Sequence, residues 1–142
     1  MLIATWNVNS IRTRLEQVKA FLKKEQPDLL CIQETKVQND LFPEEEFKRI
    51  GYKAFFSGQK SYNGVALISP HQIEDIRIGF NGELQKDPDT IFLDEQKRII
   101  SCLINEIRVV NVYVPNGSSL KSSKFEYKIK WLQHLNLYIK SQ

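Results

Sequence analysis

Apolar and polar positions alternate along the chain in two distinct ways. Leu2–Trp6 is an apolar run of strand length, and a segment with apolar residues at helical spacing follows it. Those helical positions are Ile11, Leu15, Val18 and Leu22. Leu29–Ile32 is a second continuous apolar run, typical of a strand covered on both faces. The order strand, helix, strand predicts two neighbouring parallel strands, with Asn9 or Ser10 as the cap of the helix.

A second helix is predicted near residues 43–51, because Pro43 suits a first turn, three glutamates follow it, and Gly51 suits a helix end. Beyond it, short apolar segments separated by polar turns predict strands in sequence. Lys53–Ser57 and Val65–Ser69 are expected to form a hairpin. Further strands are predicted at Ile76–Ile78, Thr90–Leu93, Arg98–Ile104 and Val109–Val114.

A last helix is predicted from about Ser122 to Ile139. Its apolar stripe is expected to consist of Phe125, Ile129, Leu132, Leu135 and Ile139. The order of elements predicts an α/β fold with one mixed sheet and helices on one face. The other face of the sheet must also be covered, because alternate residues of most strands are apolar too.

Composition places the chain among globular proteins. It has 142 residues, of which 42% are hydrophobic and 26% charged, an amount of sequence suited to one domain. It contains no 18-residue apolar run, and its first residues lack a basic segment, so we expect a cytoplasmic protein without a membrane partner. Cys31 and Cys102 each lie in an apolar run, which predicts buried, reduced thiols.

The formal net charge of +3 is unevenly distributed. Five lysines and one acid follow Gly117, whereas residues 1–117 carry 15 basic and 16 acidic residues. This basic end suits a polyanionic partner, and it equally suits a solvated lysine-rich helix face. Charge alone therefore assigns no function.

Two asparagines, Asn7 and Asn9, directly follow the first predicted strand. The carboxyl end of such a strand is where α/β sheets commonly place ligands. The alternative interpretation is structural: Asn9 caps the helix and Asn7 satisfies a turn.

A carboxylate, Glu34, follows the second predicted strand immediately. If the two strands pair, Asn7 and Glu34 lie side by side, and together they could supply part of an oxygen shell for Mg²⁺ or Mn²⁺. The alternative is that Glu34 pairs with Lys36 or with an arginine.

Tyr113 and Asn116 lie in the polar end of a third apolar segment, where a phenol and an amide could hydrogen-bond a phosphate oxygen. The alternative is a tyrosine at the rim of the core and a Pro-Asn-Gly turn. The functional interpretation gains weight because all three segments are expected to end at one edge of one sheet.

Several motifs in order resemble the exonuclease III family of apurinic/apyrimidinic (AP) endonucleases, within the endonuclease/exonuclease/phosphatase superfamily. The resemblance covers essentially the whole chain, and Q-E-T-K together with Y-V-P-N-G is a specific combination. The segments are W-N-V-N-S-I-R-x-R at 6–14, P-D-L-L-C-I-Q-E-T-K at 27–36, F-P-E-E-E-F-K-R-I-G-Y at 42–52, S-Y-N-G-V-A-L-I-S at 61–69, Q-K-R-I-I at 96–100, N-V-Y-V-P-N-G at 111–117 and K-F-E-Y-K-I-K-W-L at 124–132.

The resemblance implies a four-layered α/β sandwich of the DNase I-like type and metal-dependent hydrolysis of DNA phosphodiesters. By the same resemblance, Glu34 corresponds to the metal-ligating glutamate and Asn7 to the asparagine that helps hold the metal site. Asn9 corresponds to a polar residue near the metal, here expected to bind substrate, as is Asn116. Tyr113 corresponds to the catalytic tyrosine at the scissile phosphate. Arg98 matches a recurrent arginine, to which no role beyond structure or charge balance is assigned.

The family's later elements do not occur in these 142 residues: Gly-Asp-x-Asn, a further aspartate and Ser-Asp-His. We therefore expect residues 1–142 to be the N-terminal portion of a single domain, inactive alone, with an uncovered sheet face that favours self-association. The complete protein is expected to be a monomer that uses Mg²⁺ or Mn²⁺ on double-stranded DNA with abasic sites or blocked 3′ ends. The alternatives are another phosphodiesterase or phosphatase of the superfamily, or a non-catalytic remnant that binds DNA or metal.

Overall fold

The secondary structure is taken from a computed structural model, which describes residues 1–84, 86 and 88–142. The strands are β1 (Ile3–Asn7), β2 (Leu29–Gln33), β3 (Lys53–Ser57), β4 (Val65–Ser69), β5 (Glu74–Ile78), β6 (Ile99–Ile104) and β7 (Ile107–Val112). The helices are α1 (Leu15–Glu25), α2 (Glu44–Lys48), α3 (Pro88–Asp94) and α4 (Ser123–Lys140). Short 3₁₀ helices lie at Asn39–Leu41 and Phe80–Gly82.

Within the described residues the strands form two sheets. The first sheet has the order β1-β2-β4-β3, and the second sheet is antiparallel with the order β5-β6-β7. As predicted, β1 and β2 are parallel, with Ile3 opposite Leu29 and Asn7 opposite Gln33. The β3–β4 hairpin has the predicted bounds.

The prediction of one mixed sheet is wrong. After β4 the chain leaves the first sheet, and β5 pairs with β6 in a second layer. The physical reason is apolar burial between layers: Leu29, Cys31, Val65 and Leu67 of the first sheet pack with Ile100, Cys102 and Ile104 of the second. Strands in which apolar and polar residues alternate are predicted to pair. This pattern does not specify whether the next strand extends the same sheet or begins another.

Helices cover the outer faces of both sheets. Val18 and Leu22 of α1 and Phe47 of α2 pack on the first sheet, and Trp131 and Tyr138 of α4 pack on the second sheet. The layer order α, β, β, α confirms the predicted four-layered sandwich. It also corrects the expected uncovered sheet face, because the second sheet packs against β2 and β4 of the first.

Helix α1 begins at Leu15, so Asn9 and Ser10 do not cap it. Both residues have positive φ angles, 45° and 88°, which differ from the extended conformation of a capping residue. The Ser10 hydroxyl instead accepts a hydrogen bond from the Thr13 amide at 3.3 Å, within a turn that precedes the helix.

The predicted strand at Thr90–Leu93 is wrong, since these residues lie in α3. Pro88 stands at its first position, where the missing amide hydrogen costs nothing. Thr90 and Leu93, three residues apart, are its buried side chains. A four-residue apolar run fits a strand and one turn of helix equally well, and the spacing of buried residues decides for helix.

Helix α4 follows the prediction closely in length, and the Ser122 hydroxyl accepts a hydrogen bond from the Phe125 amide at 3.2 Å. Its buried face differs from the predicted stripe. Trp131 and Tyr138 are fully buried, whereas Ile129 and Ile139 are 41% and 57% exposed. The larger aromatic rings occupy the face toward Phe80, with the Phe80 and Trp131 rings 5.6 Å apart.

Both cysteines are free and buried, as predicted. Burial is the first cause that raises the pKa of Cys31 to about 12 and that of Cys102 to about 11, so both thiols stay protonated at neutral pH. Across the described residues, none of the helices combines the length and apolarity that crossing a membrane requires.

Candidate active site

Three strand ends meet at one edge of the two sheets. Asn7 is the last residue of β1, Glu34 directly follows β2, and Tyr113 directly follows β7. Because β1 and β2 are parallel and in register at Asn7 and Gln33, the residue after β2 lies beside the end of β1.

The side chains at this edge form a connected cluster. The Asn7 amide Nδ2 donates to Oε1 of Glu34 at 2.9 Å, and Nζ of Lys36 lies 3.2 Å from Oε2 of the same carboxylate. Lys36 Nζ also donates to Oδ1 of Asn9 at 2.5 Å. The structure thus brings together Asn7, Asn9 and Glu34 from the predicted set. It also shows the pairing with Lys36 that was the alternative for Glu34, and the two arrangements coexist.

The backbone around Glu34 is left-handed at two non-glycine residues, Glu34 (φ 56°) and Lys36 (φ 52°). Such conformations cost about 1–3 kcal/mol each and persist where the surroundings enforce them. The segment is held from both sides: the Ser10 amide donates to the Glu34 carbonyl at 2.8 Å, and the Thr35 amide donates to the Gly64 carbonyl at 3.2 Å. The turn therefore fixes the direction of the Glu34 carboxylate.

The surroundings of Glu34 keep it ionised. Partial burial alone would raise its pKa, but the hydrogen bond from Asn7 and the interactions with Tyr113 and Lys36 together hold the pKa below its ordinary value. Burial, reinforced by the Glu34 charge, raises the pKa of Tyr113. At neutral pH the site therefore presents a carboxylate beside a protonated phenol.

Arg98 supports Tyr113 from the second sheet. Its guanidinium carbon lies 4.6 Å from the centre of the Tyr113 ring, and its NH1 donates to the Tyr113 carbonyl at 3.2 Å. The Tyr113 amide in turn donates to the Arg98 carbonyl at 2.8 Å. These contacts place an unassigned arginine next to the predicted catalytic residue.

Asn116 is exposed and lies farther along the same loop. Its Oδ1 accepts a hydrogen bond from the Ser118 amide at 3.0 Å. With Arg98, Tyr113, Lys124 and other residues it lines a cavity of about 380 Å³. The structure therefore places Asn116 in a cavity next to Tyr113, and the contacts of the described residues show no bond between Asn116 and the Glu34 cluster.

One residue of the site was missed from the sequence. Asn111 of β7 is 3% exposed and bonds to the first sheet next to Glu34. The available signal was an asparagine in the apolar segment N-V-Y-V, at a position where burial requires hydrogen-bond partners.

The cluster can be compared with what a divalent ion requires. The described residues contain no group of three His, Cys, Asp or Glu side chains placed to hold a metal. Mg²⁺ is satisfied by one or two carboxylates with waters completing its shell, and an ionised Glu34 with amide oxygens nearby matches that requirement. The donor set therefore suits a divalent cation, which Glu34 could hold directly while Asn7 orients its carboxylate.

The layers and the site together define a four-layered α/β sandwich of the DNase I-like class, with a carboxylate and amide cluster where its strands end. Residues 4–138 match the Endonuclease/Exonuclease/phosphatase family, and the chain belongs to that family.

Relatives and solved structures agree with this assignment. The chain is 34% identical to exodeoxyribonuclease III of Haemophilus influenzae, in an alignment that covers all of this chain and 52% of that protein. Its fold matches an AP endonuclease from Archaeoglobus fulgidus with a TM-score of 0.87 and 47% identity, covering 99% of this chain and 51% of the other. It also matches the 3′ phosphatase NExo from Neisseria, bound to a product DNA hairpin, with a TM-score of 0.88 and 40% identity over 99% and 51% of the two chains.

These matches confirm the resemblance to the exonuclease III family of AP endonucleases. The chain spans about half the length of the relatives it matches.

Proposed function

We propose that residues 1–142 form the N-terminal portion of a single domain that hydrolyses DNA phosphodiesters in base-excision repair. When complete, the domain would act as an AP endonuclease and trim 3′ ends. The observation that carries the proposal is the cluster of Asn7, Glu34 and Tyr113 at one edge of the two sheets. The relatives named exodeoxyribonuclease III and AP endonuclease support the choice of reaction.

The chemical roles follow from the charge states of the site. Glu34, held ionised by its neighbours, would ligate Mg²⁺ or Mn²⁺, and the bound ion would offset the negative charge of a phosphate. Tyr113, held protonated, would donate a hydrogen bond to a phosphate oxygen where charge grows in the transition state. Asn9 contacts Lys36 beside Glu34, and Asn116 lines a cavity with Tyr113; both would bind the DNA backbone.

A general base for the attacking water has to come from outside this cluster. Glu34 is engaged by Asn7 and Lys36, and the two histidines of the chain bond elsewhere. His71 Nε2 lies 2.7 Å from Asp28, and His134 Nδ1 lies 2.9 Å from the Lys130 carbonyl. We therefore propose that this chain alone is inactive and that the rest of the domain supplies the base.

The substrate proposed is double-stranded DNA with abasic sites or blocked 3′ ends, acted on by a monomeric complete protein in the cytoplasm. The experiment mixes the purified chain with an abasic duplex and Mg²⁺. It is run with and without a fragment from the part of the Archaeoglobus fulgidus AP endonuclease that this chain does not cover. Cleavage is expected only with the fragment and is expected to be lost with Glu34→Gln. Cleavage by the chain alone would contradict the proposal that the base lies outside it.

A second candidate is a phosphatase or another phosphodiesterase of the same superfamily, which the Neisseria 3′ phosphatase favours. The same mixture tests it with a duplex that carries a 3′-phosphate and no abasic site. Release of phosphate without strand cleavage would support this candidate. If neither substrate reacts although the fragment binds, a non-catalytic role in DNA or metal binding is the better interpretation.

A further inference from the structure

A buried amide in the second sheet bonds directly to the first sheet. Asn111 lies on β7, and its Nδ2 donates to the Ile32 carbonyl of β2 and to the Ala66 carbonyl of β4, each at 2.9 Å. Its Oδ1 accepts a hydrogen bond from Nε2 of Gln33 at 2.7 Å. Both of its amide hydrogens and its oxygen are therefore used in bonds that cross between the sheets.

The network continues across the first sheet through Gln33. The Gln33 amide also donates to the Thr5 hydroxyl of β1 at 2.9 Å. One side chain of the second sheet is thus connected to β1, β2 and β4. Reversing the Asn111 amide would place its oxygen against two carbonyl oxygens, so the network accepts a single orientation.

The position of Asn111 relates the two sheets at the candidate site. Asn111 lies two residues before Tyr113, which directly follows β7, and its partners Ile32 and Gln33 directly precede Glu34. Glu34 follows a strand of the first sheet, and Tyr113 follows a strand of the second. The sheets also meet through apolar side chains, and the Gly64 amide, just before β4, donates to the Lys97 carbonyl, just before β6, at 3.0 Å. Apolar contacts are not directional, so they oppose sliding of one sheet over the other only weakly. The three short hydrogen bonds of Asn111 are directional and oppose this sliding.

We infer that Asn111 is a positioning residue that sets the place of the Tyr113 phenol relative to the Glu34 carboxylate. The inference rests on the proposed function only for its effect on catalysis. The placement itself is a property of the chain and can be measured without activity.

The placement is tested by ¹⁹F NMR of the 142-residue chain labelled with 3-fluorotyrosine. The chain has five tyrosines, and Tyr113→Phe identifies the resonance of Tyr113. In the parent chain, Glu34→Gln is expected to shift that resonance, because the two side chains interact. When Glu34→Gln is introduced into the Asn111→Leu variant, we expect the Tyr113 resonance to shift by less than half as much as it does in the parent chain.

The control is Ser101→Ala, which removes another fully buried hydrogen bond of the second sheet, between the Ser101 and Tyr138 hydroxyls at 2.7 Å. The Tyr113 response to Glu34→Gln is expected to persist there. Gln33→Met serves as a milder variant, since it removes the bond to Asn111 and leaves Asn111 in place. An unchanged response in folded Asn111→Leu and Gln33→Met would overturn the inference.

Activity of the chain completed by the fragment separates the inference from the proposed function. If the completed chain cleaves DNA, Asn111→Leu is expected to lower kcat about 10- to 100-fold with little change in KM, and Ser101→Ala to leave both unchanged. A loss of kcat as large in Ser101→Ala would count against a positioning role. If the NMR coupling depends on Asn111 but no cleavage occurs, the proposed function fails and the placement by Asn111 stands.

Discussion

The Asn7 side-chain amide donates to Oε1 of Glu34 at 2.9 Å, joining two residues 27 positions apart in sequence. The bond is a consequence of the parallel pairing of β1 and β2, which brings their carboxyl ends together. It leaves Oε2 of Glu34 beside Lys36, 3.2 Å away, so the carboxylate is held from two sides. A carboxylate held in this way would lose little freedom on binding an ion.

The first prediction concerns metal binding by the chain itself. Glu34→Gln removes the negative charge and is expected to weaken Mn²⁺ binding at least about 10-fold. Asn7→Ala, which removes only the orienting amide, is expected to weaken it about 10-fold. Mn²⁺ binding is measured by electron paramagnetic resonance, and circular dichroism checks that the fold is retained.

Glu16→Gln is the matched control for this measurement, since Glu16 is an exposed glutamate whose partner, Lys19, lies on the same helix. It is expected to leave Mn²⁺ binding unchanged. If Glu34→Gln binds Mn²⁺ as well as the parent chain does, Glu34 is not the metal ligand.

The second prediction concerns the turn that carries Glu34. A Cβ at Gly58 would lie 2.1 Å from the carbonyl oxygen of Val37, a backbone atom three residues after Glu34. Gly58→Ala is therefore expected to displace residues 35–37 and to lower the free energy of unfolding by about 3 kcal/mol, as measured by urea denaturation.

Gly51→Ala separates steric contact from backbone strain in this experiment. Gly51 has a φ of 85° and open space around its Cα, so the alanine is strained but meets no neighbour. A cost of about 1 kcal/mol is expected there. If Gly51→Ala costs as much as Gly58→Ala, the close approach at Val37 has no special importance for stability.

The third prediction concerns acid stability. The side chains of Arg77 and Arg108 both contact the Asp75 carboxylate, and these hydrogen bonds, Arg77 first, lower the pKa of Asp75 to about 2. In the unfolded chain an aspartate has a pKa of about 4, so the folded state binds the Asp75 proton more weakly than the unfolded state does. The resulting stability is present above about pH 4 and is lost as the pH falls toward about 2.

Asp75→Asn is expected to flatten the dependence of the urea midpoint on pH between about 4 and about 2. Asparagine tolerates the φ of 43° at this position, so the backbone is not the cause of the change. Asp40→Asn, at an exposed residue of the 3₁₀ helix Asn39–Leu41, is the control and is expected to leave the acid dependence intact. An equally steep loss of stability in Asp75→Asn would show that other groups cause it.

The sequence was informative where local signals and burial coincide. The hairpin of Lys53–Ser57 and Val65–Ser69 was predicted with its bounds because apolar runs are separated there by a loop containing Gly58 and Gly64. The parallel pairing of β1 and β2 followed from the helix between them. The juxtaposition of Asn7 and Glu34 followed from that pairing.

Other features depend on contacts that periodicity does not encode. The division into two sheets is decided by packing of Cys31 and Leu67 against Ile100, residues distant in sequence. Positive φ at Asn9 and Ser10 delays α1 to Leu15, which a search for capping residues does not detect. Asn111 was overlooked because a polar residue within a strand pattern looks like an outward position unless the partners across the sheets are known.

The last prediction concerns the side of α4 that carries Ile129 and Ile139. These two residues are 41% and 57% exposed and lie away from Tyr127 and His134, which contact Phe92 and Phe80. An exposed apolar face of this kind favours association. We therefore expect the sedimentation coefficient of the chain to rise with protein concentration and the double variant Ile129→Lys/Ile139→Lys to weaken that rise.

Ile91→Lys, at an exposed apolar residue of α3, is the control and is expected to have little effect. A concentration-independent sedimentation coefficient, or an equal effect of Ile91→Lys, would show that this face of α4 does not drive association.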